Sequence, residues 1–326
     1  FSINKAYFLQ ALNTTKRAIS SKNAIPILST IKIDVTSEGI TLIGSNGQIS
    51  IEYFISVKDE NAGLLVTTPG AILLEATFFI NVVSSLPDVV LDVKEIEQKQ
   101  IVLVSGKSEI TLKGKDAEQY PRIQEISASN PLTLPIQTLK KIISETAFAA
   151  SIQESRPILT GVHFVLSDHK ELKTVATDSH RMSQKNITLE KNGDNFDVVI
   201  PSRSLRELTS VFSDEIEQVE VFFANNQILF RSDNISFYTR LLEGNYPDTD
   251  RLIPTEFSSE VTFKVAHLRQ AMERARLLSN ATQNGTVKLE IASGVVSAHV
   301  NSPGEEKEAP PVNSRVHLCW SSACLY

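Results

Sequence analysis

The stretch with the most chemistry in its side chains is VATDSHRM, where Asp178, Ser179 and His180 are consecutive. An acid, a hydroxyl and an imidazole are the parts of a nucleophilic hydrolase, so one reading is an enzyme built on these three residues. Their spacing argues against it. Adjacent residues on an extended segment point to alternate faces, whereas a nucleophile and its base must lie within hydrogen-bond reach. The six histidines, His163, His169, His180, His267, His299 and His317, show no metal-ligand spacing of the HExxH kind. The nearest approach to a phosphate loop, GSNGQ at Gly44 to Gln48, lacks the Lys-Ser/Thr pair and lies between strand-like runs, so it reads as a turn. No catalytic residue and no metal site is expected.

Repetition is the stronger signal. A unit of about 128 residues occurs nearly twice in full and a third time in part, a period that fits domain-sized copies and exceeds that of solenoids. IPILSTIKIDV at Ile25 to Val35 lies over RPILTGVHFVL at Arg156 to Leu166, with Pro26 on Pro157 at an offset of 131. Pro69 before GAILLEATFF falls on Pro201 before SRSLRELTSVF at 132, and Tyr120-Pro121 on Tyr246-Pro247 at 126. A third copy opens at Phe263, where LRQAMERARLLS echoes FLQALNTTKRAIS and LKKIISETAFAAS.

Each copy begins with an amphipathic helix. Phe8, Leu12, Thr15 and Ile19 share one face in the first copy, and Leu139, Ile143, Thr146 and Ala150 in the second. Paired strands follow, as in TIKIDVTSEGITLIGSN, which alternates, turns at Glu38-Gly39 and resumes. Proline suits a first helical turn, so Pro69 and Pro201 are expected to introduce a second helix. Two hairpin strands then close each unit. Helix, strands, helix, strands is the order of an α+β domain with mainly antiparallel pairing. The expected domains are 1–127, 128–256 and a partial third at 257–326, with linkers near 127–131 and 254–259.

A net charge of −6 and a pI near 5.6 argue against a uniformly basic nucleic-acid binder. The charge is nevertheless layered. Arg17, Lys140, Lys141, Arg269, Arg274 and Arg276 fall on polar helix faces, with Lys22 and Arg203 near helix ends. Asp59, Glu60, Asp92, Glu95, Glu97, Glu215, Glu217 and Glu220 gather in the hairpins. Solvated surface accounts for many of these one by one, but a basic helical layer gives an acidic protein one surface able to meet phosphates. No charged-then-apolar leader opens the chain and no apolar run approaches the roughly 18 residues of a membrane span, so a soluble cytoplasmic protein is expected. Cys319, Cys324 and the single tryptophan, Trp320, lie in the last eight residues, so no cysteine framework organises the body. From Gly304 onward the sequence GEEKEAPPVNSRVHLCWSSACLY loses strand alternation and helical period.

Taken with the repeat, VATDSHRM, IPIL, VSGKSEITL, LLEGNYPDTDRLIP and ARLLS make the chain, from Phe1 to about Pro303, resemble the bacterial sliding clamp family, the beta subunits of DNA polymerase III. The resemblance implies a DNA clamp fold: a head-to-tail ring of two protomers, three similar domains in each, helices lining the hole and sheets outside. It implies a non-catalytic processivity factor that encircles duplex DNA without reading sequence. Its implied partners are the DNA polymerase III catalytic subunit, other proteins with clamp-binding motifs, and a clamp loader that opens the ring. It implies no cofactor.

Carried over by motif position, the resemblance puts Lys22, Gln153 and Arg203 against DNA, with Arg17 and Arg276 as further candidates. It builds a peptide pocket from Leu159, Thr177, Ser179, His180, Arg181, Met182, Pro247 and Leu252, with Ser179 and Met182 where many relatives have Gly and Leu. Strand-end hydrogen bonding is the competing role for Thr177 and Asp178. A ring interface is implied for Lys107, Ile110 and Leu112 in the first domain, against Leu277, Leu278, Glu305, Glu306 and Glu308 in the third. The third copy has 70 residues against about 128 in a complete one, and the family's final strands are not recognisable in it. A destabilised third domain with a weakened pocket and ring is therefore expected, and a monomeric, clamp-derived peptide-binding module is the rival reading.

Overall fold

Each of the first two copies opens on a strand too short for alternation to show. In the first, β1 (Ser2–Asn4) runs directly into α1 (Lys5–Lys16), because the Asn4 side chain accepts from Ala6 N at 3.0 Å and Tyr7 N at 3.2 Å and caps the helix. There follow β2 (Thr30–Val35), β3 (Gly39–Ser45), β4 (Ile49–Ser56), β5 (Gly70–Glu75), α2 (Ala76–Ser85), β6 (Val90–Ile96), β7 (Gln100–Ser105), β8 (Ser108–Lys113) and the short β9 (Lys115–Asp116). The second copy repeats this order: β10 (Leu132–Pro135), α3 (Ile136–Thr146), β11 (Gly161–Ser167), β12 (Glu171–Thr177), β13 (Met182–Thr188), β14 (Phe196–Pro201), α4 (Ser202–Val211), β15 (Gln218–Phe223), β16 (Gln227–Ser232) and β17 (Ile235–Arg240). The computed structural model describes residues 1–20, 25–87, 89–96, 99–124, 126, 131–190, 192–224, 226–253, 261–262, 264–279, 287–292, 295–302 and 305–308.

The expected helix faces are core. Phe8, Leu12 and Thr15 are buried on α1, and Leu139, Ile143 and Thr146 on α3. Both buried threonines are satisfied in the same way, Thr15 Oγ1 donating to Ala11 O at 2.9 Å and Thr146 Oγ1 to Ile142 O at 2.7 Å. Gly44 lets α1 lie close on the sheet, since a Cβ there would stand 2.6 Å from Thr15 O.

The second helix corrects the expectation for Pro69. That proline precedes β5, and α2 starts only after Glu75, whose carboxylate accepts from Thr77 N at 3.2 Å and Phe78 N at 2.6 Å. The true counterpart of Pro201, which ends β14 before α4, is Glu75. GAILLE is a continuous apolar run, and such a run does not separate strand from helix by period. Each closing sheet also has three strands after its second helix rather than the two expected.

The sheets are antiparallel throughout. β1-β6-β7-β8 forms one, β13-β12-β11-β14 another, and a nine-stranded sheet runs β10-β15-β16-β17-β4-β3-β2-β5-β9. That last sheet fuses the two repeats. β17 pairs with β4, placing Phe237 opposite Ile51 and Tyr238 opposite Ser50. The seam makes Phe1–Pro247 one compact unit.

The second unit spans Asp248–Ser322. It holds α5 (Val265–Ser279), β18 (Lys288–Ala292), β19 (Val295–Ser302) and β20 (Glu305–Glu308), with the strands in that order in one antiparallel sheet. The expectation that strand pattern ends at Gly304 is corrected at β20, which pairs Glu306 with Asn301 through a backbone ladder that does not need apolar alternation. Among the described residues, no helix is long and apolar enough to cross a membrane.

Candidate functional site

The turn between β12 and β13 carries most of the predicted pocket residues, and it is a copy of the turn between β3 and β4. Thr177 matches Ser45, Asp178 matches Asn46, Ser179 matches Gly47 and His180 matches Gln48. Asn46 Oδ1 accepts from Gln48 N at 2.9 Å and Ile49 N at 2.8 Å, and Asp178 Oδ1 accepts from His180 N and Arg181 N, each at 3.0 Å. Ser45 Oγ accepts from Gly47 N, and Thr177 Oγ1 from Ser179 N, each at 3.1 Å. Asp178 is thus committed to holding a turn. Partial burial pushes its carboxyl pKa upward, but the His180 and Arg181 amides and the Arg181 guanidinium hold it below the ordinary aspartate range. No hydrogen bond joins the Ser179 hydroxyl to the His180 ring, and the same turn in the first repeat has neither an acid nor an imidazole. Among the described residues, no group of His, Cys, Asp or Glu is placed to hold a metal.

Other predicted residues come to this turn within the first unit. Thr177 N donates to the Tyr246 hydroxyl at 3.0 Å, which brings the Tyr246-Pro247 segment to the end of β12. Tyr246 stacks on His163 with centroids 4.7 Å apart, and His163 Nε2 lies 2.6 Å from Asp197 Oδ1. Burial pushes the Tyr246 hydroxyl up to about 12, so it stays neutral at physiological pH. Leu159 is buried in a turn of 3-10 helix, and its carbonyl accepts from Ser151 N at 2.8 Å. Met182 is buried as well, whereas His180 and Pro247 are exposed. Arg181 pairs with Asp178 at 3.0 Å and lies over the Phe148 ring at 5.9 Å. Leu252 is exposed and belongs to the second unit. Sequence reasoning missed His163, Asp197, Tyr246 and Phe148 as supports of this surface. The repeated Tyr-Pro landmark was the signal that singles out Tyr246.

The basic residues are distributed less simply than the layering predicts. Arg17 closes α1 and reaches across the repeats to Glu207 on α4, with Nη1 3.6 Å from Oε2, so the two helices share one side of the unit. Lys140 on α3 is held by Asp214 at 2.5 Å. Lys141, Lys140, Arg206 and Arg181 border an open groove of about 800 Å³ whose apolar side is Phe148 and Ile152. Arg203 and Gln153 are exposed. Lys22 lies outside the described residues, as does the side chain of Arg276.

Of the predicted interface residues, Ile110 and Leu112 fall on β8, an edge strand, with Lys107 just before it. Leu112 is a core residue rather than the exposed aliphatic expected, while Ile110 is half-buried. The alternation of β8 sends Leu112 inward. Leu277 on α5 is 76% exposed. Glu305, Glu306 and Glu308 lie on β20, and their side chains, like that of Leu278, lie outside the described set.

Three family models cover this architecture in order: the N-terminal, central and C-terminal domains of the DNA polymerase III beta subunit, at residues 1–124, 133–248 and 250–316. The chain belongs to the beta sliding clamp family. A beta sliding clamp of Streptococcus pneumoniae is 82% identical over 303 residues, covering 93% of this chain and 80% of its own length. That of Lactococcus lactis is 53% identical over 305 residues, with the same coverage of 93% and 80%. Among solved structures, the DNA polymerase III beta chain of S. pneumoniae TIGR4 superposes with a TM-score of 0.92 at 80% identity, covering 95% of this chain and 83% of that one. The beta subunit of Streptococcus pyogenes gives 0.90 at 67% identity, covering 97% and 85%. This sliding clamp is a processivity factor and a non-catalytic subunit of DNA polymerase III, so the hydrolase reading of Asp178, Ser179 and His180 falls. The clamp fold and its antiparallel sheets are as the sequence led one to expect.

Proposed function

We propose that this chain encircles duplex DNA as a head-to-tail homodimeric ring, in the cytoplasm, and tethers the DNA polymerase III catalytic subunit and other proteins with clamp-binding motifs. A clamp loader opens the ring. The observation that carries this reading is the seam: one backbone ladder joins two repeats, and the Arg17–Glu207 contact gathers their helices on one side. Cations on such a face meet phosphates without reading bases, so affinity depends on salt and not on sequence. Lys22, Gln153 and Arg203 make these contacts, with Arg17 and Arg276 in support.

The pocket for partner peptides uses Leu159, Thr177, Ser179, His180, Arg181, Met182, Pro247 and Leu252. An apolar floor with a few fixed polar groups suits a short peptide anchored by Leu or Phe side chains. The ring junction uses Lys107, Ile110 and Leu112 against Leu277, Leu278, Glu305, Glu306 and Glu308 of the other copy, and the working borders of the three repeats are 1–127, 128–256 and 257–326.

Retention on nicked circular DNA after loader-assisted assembly tests the ring. Retention that is lost when the circle is cut once shows a closed ring held by topology. No retention, beside a working loader control, overturns the ring in favour of a monomeric peptide-binding module.

A further inference from the structure

The tyrosine that recurs in both repeats is held differently in the second. Leu242 N donates to Val199 O at 2.9 Å, which ties the chain after β17 to β14 at the residue paired with His163. Gly244, at φ 121°, takes a backbone conformation open to glycine, and two residues on Tyr246 lies over the half-buried face of β11. Its ring stacks on His163 with centroids 4.7 Å apart and planes inclined at 26°. Its hydroxyl reaches the end of the next strand and accepts from Thr177 N at 3.0 Å.

Thr177 passes this contact on to the turn. Its hydroxyl accepts from Ser179 N at 3.1 Å and donates to Arg181 O at 2.7 Å, so the place of one backbone fixes Ser179, His180 and Arg181 together. His163 is fixed in turn from β14. Its Nε2 lies 2.6 Å from Asp197 Oδ1, a diagonal reach, since Val165 stands opposite Asp197. The Asp197 side chain is 72% exposed and that of His163 16%. Solvent therefore leaves that contact little energy of its own, and its effect is to hold the imidazole plane against the phenol. The first repeat lacks the device. Lys32 stands in the place of His163 and pairs with Asp34 at 2.9 Å, Ala71 stands in the place of Asp197, and Tyr120 packs with Leu28 and Leu73.

We propose that His163 is a positioning residue for the binding of partner peptides, with Asp197 orienting its ring. The imidazole holds Tyr246, Tyr246 holds the Thr177 amide, and Thr177 holds the turn in the form that receives the peptide. A side chain at 163 without a planar face leaves the Tyr246 ring without its stacking partner and weakens its hold on Thr177 N. The inference rests on the pocket reading given above and names what in this chain keeps the pocket preformed. Preforming lessens the ordering that binding must otherwise supply.

The test uses the full chain and reads two quantities: the fluorescence anisotropy of a labelled synthetic peptide with Leu and Phe anchors, and amide hydrogen exchange across residues 176–181. His163→Leu is expected to bind the peptide about three- to tenfold more weakly and to exchange faster in that segment. His163→Phe keeps a stacking face and is expected to stay within about twofold of the parent. Tyr246→Phe loses only the hydroxyl and is expected to bind about fivefold more weakly. Both changes act through one hydrogen bond, so the double variant of His163→Leu with Tyr246→Phe should lose no more than about twofold beyond the worse single. Additive losses, a His163→Phe chain as weak as His163→Leu, or a Tyr246→Phe chain with parental exchange across the turn each overturn the positioning role. A His163→Leu chain that binds like the parent, while His180→Ala still weakens the peptide, overturns it and leaves the pocket in place. Peptide affinity unmoved by His180→Ala and by His163→Leu alike removes the pocket reading and this inference with it.

Discussion

Ser179 and Gly47 hold the same place in two copies of one turn, at φ 76° and 85°. Glycine takes this left-handed conformation without a Cβ clash, and serine does not. Ser179→Gly is therefore expected to stabilise the first unit by about 0.5–1 kcal/mol, the relief being partly offset by the added freedom of the unfolded chain. The check is a higher denaturant midpoint at unchanged slope. A lower midpoint would mean that the serine side chain supports the turn beyond its backbone hydrogen bond to Thr177.

Tyr7 and Asp59 give stability two pH limits. The Tyr7 hydroxyl donates to Asp59 Oδ2 at 2.6 Å, and this bond holds the Asp59 carboxyl below its ordinary range. A depressed folded pKa means stability present above the unfolded value of about 3.9 and lost as pH falls through the folded one. Burial first, and then the same bond, raises the Tyr7 pKa, so its contribution is present below about pH 10 and lost at higher pH. Asp59→Asn is expected to flatten the acid limb of a stability profile measured by denaturant titration. An acid limb as steep as that of the parent would remove Asp59 from the account.

The two compact units are expected to unfold separately, the second first. Among the described side chains of α5, only Ala271 and Ala275 are buried, whereas α3 buries Ile136, Leu139, Ile142 and Ile143. Burial of a large aliphatic side chain is worth about 1.5–3 kcal/mol, and alanine supplies far less. Hydrogen exchange should find the α5 amides opening well before those of α3. A single transition with equal protection in both helices would contradict this.

Arg203→Ala is expected to lower DNA affinity uniformly across sequences. The slope of log affinity against log salt should fall by about 0.9, the value for one phosphate contact. Equilibrium titration at several salt concentrations reads this directly, and an unchanged slope would take Arg203 off the DNA-facing list.

Much of this was legible because the chain says the same thing twice. Phe8 and Leu139, or Thr15 and Thr146, identify a buried helix face by recurring at matched positions, and VATDSHRM shows its nature only beside GSNGQI. Period and landmarks failed where local length changed. The connection from β4 to β5 is longer than that from β13 to β14, and this difference made Pro69 look like the partner of Pro201 when Glu75 is. Strands β1 and β10 were invisible because three or four residues carry too little alternation to be read. The residues expected at a junction on β8, Ile110 and Leu112, are two apart and so share one face of the strand, and the sequence does not show that this face packs on the core.

The β17–β4 ladder also decides where this molecule can bend. A linker between two repeats would leave an angle free to vary, but here every change of angle strains a row of backbone hydrogen bonds and the side chains packed beneath them. The first 247 residues therefore behave mechanically as one stiff strut that takes in two repeats. Any assembly built from such struts concentrates its give at the joints between them, and a protein that opens the assembly gains most leverage by pulling there.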